Sequence, residues 1–201
     1  MPDRSYPERI ETDRLVLERL STEHTDLDEL ADRTLTDSWQ TEVTEHMPWF
    51  RFEDEEHVSK YIDHCEQQWT DREKANYTIR LKASEPEAGE LVGLTGYNTD
   101  WEAQVASTGI VLAKPFWGRG YAGERIAALL ELAFERHEFS AYETEIAAVN
   151  ERSRRMAEKY VVRFGGKHEG LLRHYSQRQG GEALDYHRYT ILREEYEAAT
   201  Q

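Results

Sequence analysis

STGIVLAKPFWGRGYAG, residues 107–123, runs from an apolar stretch through a Pro-aromatic turn into closely spaced glycines. Residues 108–113 are β-branched and apolar, the composition of a buried strand. Pro115 ends that strand. Gly118 and Gly120 then let backbone N–H groups approach a ligand with no Cβ in the way. From Ala122 onward the apolar residues Ile126, Leu129, Leu130, Ala133 and Phe134 keep the spacing of one helical face. The unpaired N–H groups of the first helical turn, at the positive end of the helix dipole, suit a phosphate or pyrophosphate. Strand, anion-binding turn and helix are the expectation here.

Working outward, residues 14–19, 76–82, 91–97 and 142–149 read as strands, and residues 25–33 and 54–72 as helices. A turn at residues 84–89 joins the second and third strands, a helix starts at Asn150, and two strands close the chain. The order is β, αα, βββ, α, β, α, ββ, an α+β arrangement with a mixed sheet. No internal repeat interrupts it.

Three motifs compete for the glycine turn. A P-loop needs a Lys and a Ser or Thr after its last glycine, and neither follows Gly123 in the required place. Gly118-Arg-Gly120-Tyr-Ala-Gly123 is literally a dinucleotide fingerprint, with Glu143 roughly 20 residues on, where a ribose-binding acid belongs. Against that reading, Lys114-Pro-Phe-Trp117 separates strand from glycines, and the motif arrives after half the chain. The third motif is x-x-x-G-x-G/A, usually led by Arg or Gln. Trp117-Gly118-Arg119-Gly120-Tyr121-Ala122 resembles its version in the Rim-type ribosomal-protein N-terminal acetyltransferases of the GNAT superfamily. There an aromatic leads, and the loop holds the pyrophosphate of acetyl-CoA.

A separate segment carries the same resemblance. Asn150-Glu-Arg-Ser153, after a strand and before a helix closed at Phe164-Gly165-Gly166, is similar to the family's N-x-x-S. An Asn amide at a strand end can hydrogen-bond the amides of a pantetheine arm. A Ser one helical turn later can present its hydroxyl to the thioester sulfur. Both residues are also favoured helix caps, so a capping pair is the competing reading. Residues 11–20 look like the family's opening strand, and Glu169-Gly170 with residues 185–192 look like its last strands. One departure stands out. Many GNAT enzymes carry a Tyr seven residues after the Asn as general acid, and Ala157 stands there; Tyr160 faces elsewhere on the helix.

The resemblance implies a GNAT fold over residues 1–201 as one domain, mostly antiparallel, with its fourth and fifth strands splayed. It implies acetyl-CoA as co-substrate, held by the backbone of Ile110, Val111 and Leu112, by Trp117, Gly118, Arg119, Gly120, Tyr121, Ala122 and Gly123, and by Asn150 and Ser153. An N–H at Val111 or Leu112 would stabilise the oxyanion of a tetrahedral intermediate. An acceptor amine would attack directly, with Ser153 as general acid and no covalent enzyme nucleophile. The absence of a compelling base favours a protein α-amine, whose pKa lies near 8 against about 10.4 for lysine. Glu143 and Glu145, on one strand face, could serve through water or simply be solvated. Arg152, Arg154 and Arg155 are further phosphate candidates or a solvated patch. Trp49 and Trp101 are read first as core, with the acceptor pocket as alternative. An acyl-CoA-binding module without transfer, and a nucleotide-dependent oxidoreductase, stay open.

Composition bounds the rest. The 201 residues hold 40 acids against 25 bases, a net charge of −15, and the bases are 19 Arg and six Lys. Such an acidic, lysine-poor surface fits concentrated salt, where screening removes self-repulsion, or an ordinary acidic protein. A large nucleic-acid-binding face is not expected, because phosphate backbones need basic footprints. No apolar run approaches a membrane span and no leader opens the chain, so the expectation is cytoplasmic with no membrane partner. A homodimer is compatible with all of this. Cys65 shares a helical face with Val58, Tyr61, Ile62 and Trp69, so packing is its role. His57 and His64 lie two helical turns apart, and no metal is expected.

Overall fold

Leu15, Val16 and Leu17 form an apolar stretch with every side chain buried, which requires cover on both faces. They open strand β2 (Leu15–Arg19), which pairs antiparallel with the short β1 (Arg9–Glu11) and with β3 (Lys74–Leu81). The structure is a computed structural model, and it describes residues 3–177 and 181–201. Its contacts group into two compact units, residues 3–99 with 108–128 and residues 100–107 with 129–201.

In the first unit the strand order is β1-β2-β3-β4-β5, where β4 is Leu91–Asp100 and β5 is Val105–Leu112. Only the last five residues of β5 belong here. Helices α1 (Leu27–Thr34) and α2 (Glu55–Thr70) start where Asp26 and Asp54 accept the N–H groups of Glu29 and His57. Those caps satisfy orphan donors and place negative charge at the positive helix ends. Val58, Ile62 and Cys65 are buried along α2. Trp69, at its end, meets Tyr6 and Tyr77 edge-on at 5.3 and 5.6 Å. Burial pushes the Cys65 thiol up to about 12, which removes the thiolate a nucleophile would need.

In the second unit the order is β5-β6-β8-β7, with β6 at Ala141–Ala147, β7 at Lys167–Gln177 and β8 at Ala183–Leu192. β6 runs parallel to β5 and antiparallel to β8, so the described strands make the expected mixed arrangement flanked by helices. Helix α4 (Glu151–Arg163) ends where Gly165 takes φ +79 and Gly166 N–H donates to Val161 O at 2.9 Å. A left-handed residue past the helix end is what glycine permits. The C-terminal helix α5 (Arg193–Thr200) docks through Tyr196, which stacks on Phe164 and lies against Phe134 at 5.7 and 4.8 Å.

The sequence expectation differs at three places. β1 and α5 were not expected, and β5 starts three residues before the predicted 108.

Candidate active site

The first unit presents a strand edge and a glycine loop. Ala113 N–H donates to Val92 O at 2.8 Å, and Gly109 O accepts from Thr95 Oγ1 at 2.8 Å. Residues 109, 111 and 113 therefore turn their backbone groups toward β4. Because these directions alternate along a strand, the N–H groups of Ile110 and Leu112 point to the opposite edge, and those of Val111 do not. Trp117 donates its indole Nε1–H to Leu112 O on that edge at 2.6 Å, which ties the turn back to the strand end.

Beyond Trp117 the chain enters the left-handed region twice, at Gly118 (φ +77) and Gly120 (φ +88), where a side chain would be strained. Helical bonding begins only with Gly123 and Glu124, both donating to Gly120 O at 3.1 Å. Among the described residues, the N–H groups of Gly118, Arg119, Gly120, Tyr121 and Ala122 meet no backbone carbonyl. Five donors at the start of helix α3 (Tyr121–Glu131) form a cradle that suits a pyrophosphate. A Cβ on Gly120 would come within 3.3 Å of Arg14 Nη2.

Arg14 holds this loop from below. Its Nη1 donates to Arg119 O at 3.0 Å, and its Nε donates to Glu124 at 2.7 Å. Its guanidinium also covers the Tyr121 ring at 4.8 Å. In a trans peptide the C=O and the next N–H point in opposite directions. The Arg119 carbonyl on Arg14 thus aims the Gly120 N–H outward. Burial would raise the Glu124 carboxyl, but hydrogen bonds from Thr12 and from Arg14 hold it below the usual carboxylate range. Arg14 and Glu124 were not among the predicted site residues. Arg14 sits in the quoted opening motif, and that motif was the available signal.

Arg119 does not stand free. Its Nη1 donates to both carboxylate oxygens of Glu87 at 3.0 Å, and its guanidinium lies over Phe116 at 5.1 Å. Tyr121 is buried and donates its hydroxyl to Glu85.

In the second unit the β5–β6 ladder ends at Ser107↔Glu143 after three residue pairs. From Thr144 to Ala147, β6 is paired with β8 along one side. Asn150 then caps α4, its Oδ1 accepting the Ser153 N–H at 3.1 Å. The capping reading is therefore realised, and it uses only the carbonyl half of the amide. Ser153 is half-buried in the first turn of α4. Ala157 is buried, as is Tyr160, whose hydroxyl lies 3.1 Å from that of Tyr142.

Glu143 and Glu145 are both half-buried rather than fully solvated. Arg188 donates to Glu145 at 2.9 Å from Nε and lies 2.7 Å from it at Nη2. Burial, and then the charge of Glu145, push the Glu143 carboxyl up; Arg188 opposes this and Asp100 adds to it. Glu145 is thus ion-paired with Arg188, while Glu143 is the more basic carboxylate for its burial and its charged neighbour.

Of the other candidates, Arg155 makes an exposed pair with Glu151, and Arg154 donates to Ala148 O at 3.2 Å. Trp101 is half-buried and packs against Phe139 and His137 at 4.7 and 5.1 Å. Trp49 does not: it is 61% exposed on a short 3-10 turn started by Pro48. The turn forces residue 49 outward while Phe50 takes the buried position. Among the described residues no cluster of three His, Cys, Asp or Glu is placed to hold a metal ion, and no helix is long and apolar enough to cross a membrane.

The family described as Acetyltransferase (GNAT) domain matches residues 14–160. The uncharacterized N-acetyltransferase p20 of Bacillus licheniformis is 26% identical over 191 residues, 94% of this chain and 98% of that protein. A GCN5-related N-acetyltransferase from Brucella melitensis superposes with a TM-score of 0.81 at 21% identity, covering 100% of this chain and 85% of the other. The microcin C7 self-immunity acetyltransferase MccE, solved with acetyl-CoA and AMP, gives a TM-score of 0.76 at 16% identity, covering 93% and 97%.

Proposed function

The chain belongs to the GNAT acetyltransferase family, whose co-substrate is acetyl-CoA, and we propose that it acetylates a protein α-amino terminus as Rim-type enzymes do. Bound acetyl-CoA supplies an activated acetyl thioester; the roles that follow belong to this chain's own residues. Residues 118–122 meet the pyrophosphate with their N–H groups, steadied by Trp117 and Gly123, while Arg119 adds a cation. Ile110 and Leu112 offer edge N–H groups to the pantetheine arm. Val111 turns its own N–H to β4, so the oxyanion donor is assigned to Leu112. Removing one such donor typically costs about 3 kcal/mol of barrier. Asn150 presents its Nδ2 donors to the pantetheine, and Ser153 delivers a proton to the departing sulfur. Residues 1–201 act as one catalytic domain.

Glu143 carries the choice of acceptor. A carboxylate with raised basicity is a weak base for a lysine ammonium but an adequate one, through water, for an α-ammonium. At pH 7 about one α-amine in ten is already neutral, against fewer than about one lysine in a thousand. A basic acceptor segment is also favoured by the net charge of −15. That charge, in our reading, reflects a high-salt cytoplasm.

The test is calorimetric and then kinetic. Acetyl-CoA should bind the wild type, and Gly120→Glu should abolish binding. With peptides bearing a free N-terminus, turnover should exceed that with N-blocked lysine peptides or polyamines. Ser153→Ala should cut kcat about 10²-fold or more while the acetyl-CoA Kd changes little. Preference for lysine side chains would overturn the acceptor assignment, and unchanged turnover would remove Ser153 from the chemistry.

A further inference from the structure

Arg119 is the one arginine inside the glycine loop, and its guanidinium is already engaged by an anion of the chain itself. The anion comes from the turn between β3 and β4. That turn is built: Glu85 N–H donates to Lys82 O at 3.0 Å, Gly89 N–H to Leu81 O at 2.9 Å, and Glu90 N–H to Glu87 O at 3.1 Å. It brings two carboxylates to one small patch. Glu87 takes the Arg119 guanidinium, and Glu85 takes the Tyr121 hydroxyl. Both partners belong to the loop whose N–H groups are assigned to pyrophosphate.

We propose that Glu87 is a built-in competitor for the cofactor's phosphates, holding Arg119 until the pyrophosphate displaces it, so that Glu87 sets both the affinity and the salt response of acetyl-CoA binding. The inference rests on the acetyl-CoA reading of this loop.

Three observations argue for competition rather than support. First, a single nitrogen, Nη1, serves both Glu87 oxygens, so the pair lacks the two-nitrogen fork that makes arginine–carboxylate pairs strong. Second, the side chains are 37% and 39% exposed, the setting in which an ion pair is weak and screened by salt. A ligand carrying more than one negative charge outcompetes such a partner. Third, the loop does not need Glu87 for its shape. Its backbone is held by Arg14 at Arg119 O, by Trp117 at Leu112 O, and by the two φ-positive glycines. Releasing Arg119 gives up its contacts with Glu87, Phe116 and the Tyr121 side chain but leaves the backbone cradle intact. A carboxylate left beside an incoming phosphate repels it, and that repulsion weakens as the Debye length shrinks from about 10 Å at 0.1 M salt to about 3 Å at 1 M.

The experiment is titration calorimetry of the full chain with acetyl-CoA at 0.1 M and 2 M KCl. The proteins are wild type, Glu87→Gln, Arg119→Ala, the double variant and Gly120→Glu. At 0.1 M KCl Glu87→Gln should bind up to roughly fivefold tighter than wild type, the upper end for an exposed ion pair. At 2 M KCl the gain should largely vanish. In the Arg119→Ala background the same Glu87 change should produce a clearly smaller gain. Glu87→Gln binding as wild type or more weakly at low salt would overturn the proposal, and so would a gain that survives intact without Arg119. The two readings separate cleanly. Wild-type binding lost in Gly120→Glu with no Glu87 effect sinks the competitor alone. No wild-type binding, or undiminished binding in Gly120→Glu, sinks the loop assignment and the competitor with it.

Discussion

Glu143 occupies the last rung of the parallel β5–β6 ladder, half-buried, with Glu145 two residues on and Arg188 turned to Glu145 rather than to it. Burial raises its carboxyl above the ordinary value, and the charge of Glu145 raises it further. An acid whose folded pKa is raised binds its proton more tightly in the folded state than in the unfolded chain. Its stabilising contribution is then complete at low pH and declines as pH climbs from the ordinary value of 4.5 through the raised one. At neutral pH the ionised Glu143 is a standing cost. Glu143→Gln should therefore raise Tm at pH 7.5 by about 1–2 °C, the scale of a half-screened charge in a chain of this size. The difference should close below about pH 4, where wild-type Glu143 is protonated too. The same variant should lose turnover if Glu143 serves the amine. Thermal melts across pH beside initial rates check both signs at once. A stabilised variant with full activity would return Glu143 to a structural role.

The elements explain why some sequence signals were readable and others were not. α4 was legible from an Asn at a strand end and a Gly-Gly turn, because capping and left-handed termination act over three or four residues. β1 was not, since Arg9-Ile-Glu11 is three residues, too short for its alternation to mark a strand, and it becomes one through pairing with residues 16–18. α5 was missed for a similar reason. Its one buried residue, Tyr196, gains its place from Phe134 and Phe164 in distant elements. β4 and β5 supply a test of how closely the strand edge is set. A Cβ on Gly93 would lie 2.1 Å from Val111 O, a backbone atom, so one strand must move. At Gly109 the nearest atom would be Met47 Cε at 3.7 Å, an ordinary contact. Gly93→Ala should cost about 2–3 kcal/mol and lower Tm by roughly 4–12 °C. Gly109→Ala should change Tm by less than about 2 °C. Equal effects at the two sites would refute the close approach at Gly93.

At the scale of the molecule, charge dominates. A net −15 over 201 residues is opposed locally by ion pairs such as Arg9–Glu11, Lys60–Glu56 and Lys114–Glu42, all with side chains about half exposed or more. Pairs of that kind contribute about 0–1 kcal/mol each and cannot cancel the long-range repulsion of the surplus acids. Screening can. Raising KCl from 0.1 to 2 M should raise Tm by several degrees, with most of the gain below about 1 M, where the Debye length falls fastest. A flat or falling Tm in calorimetry would mark the acidic surface as ordinary and remove the high-salt reading.

The sequence by itself determined the glycine loop, the helix after it and the capped start of α4. It did so because glycine's access to positive φ, helical periodicity and Asn capping are local rules satisfied within one turn of chain. The tertiary structure alone decided the rest. It turned the N–H groups of Ile110 and Leu112, but not that of Val111, away from β4. It placed Arg14 under a loop 105 residues away and turned Arg119 toward Glu87, 32 residues back. It sent Trp49 into solvent while burying Phe50. Each of these depends on which strands pair and which side chains then fall within reach of one another. Such contacts join positions far apart in sequence, and no local rule reads them.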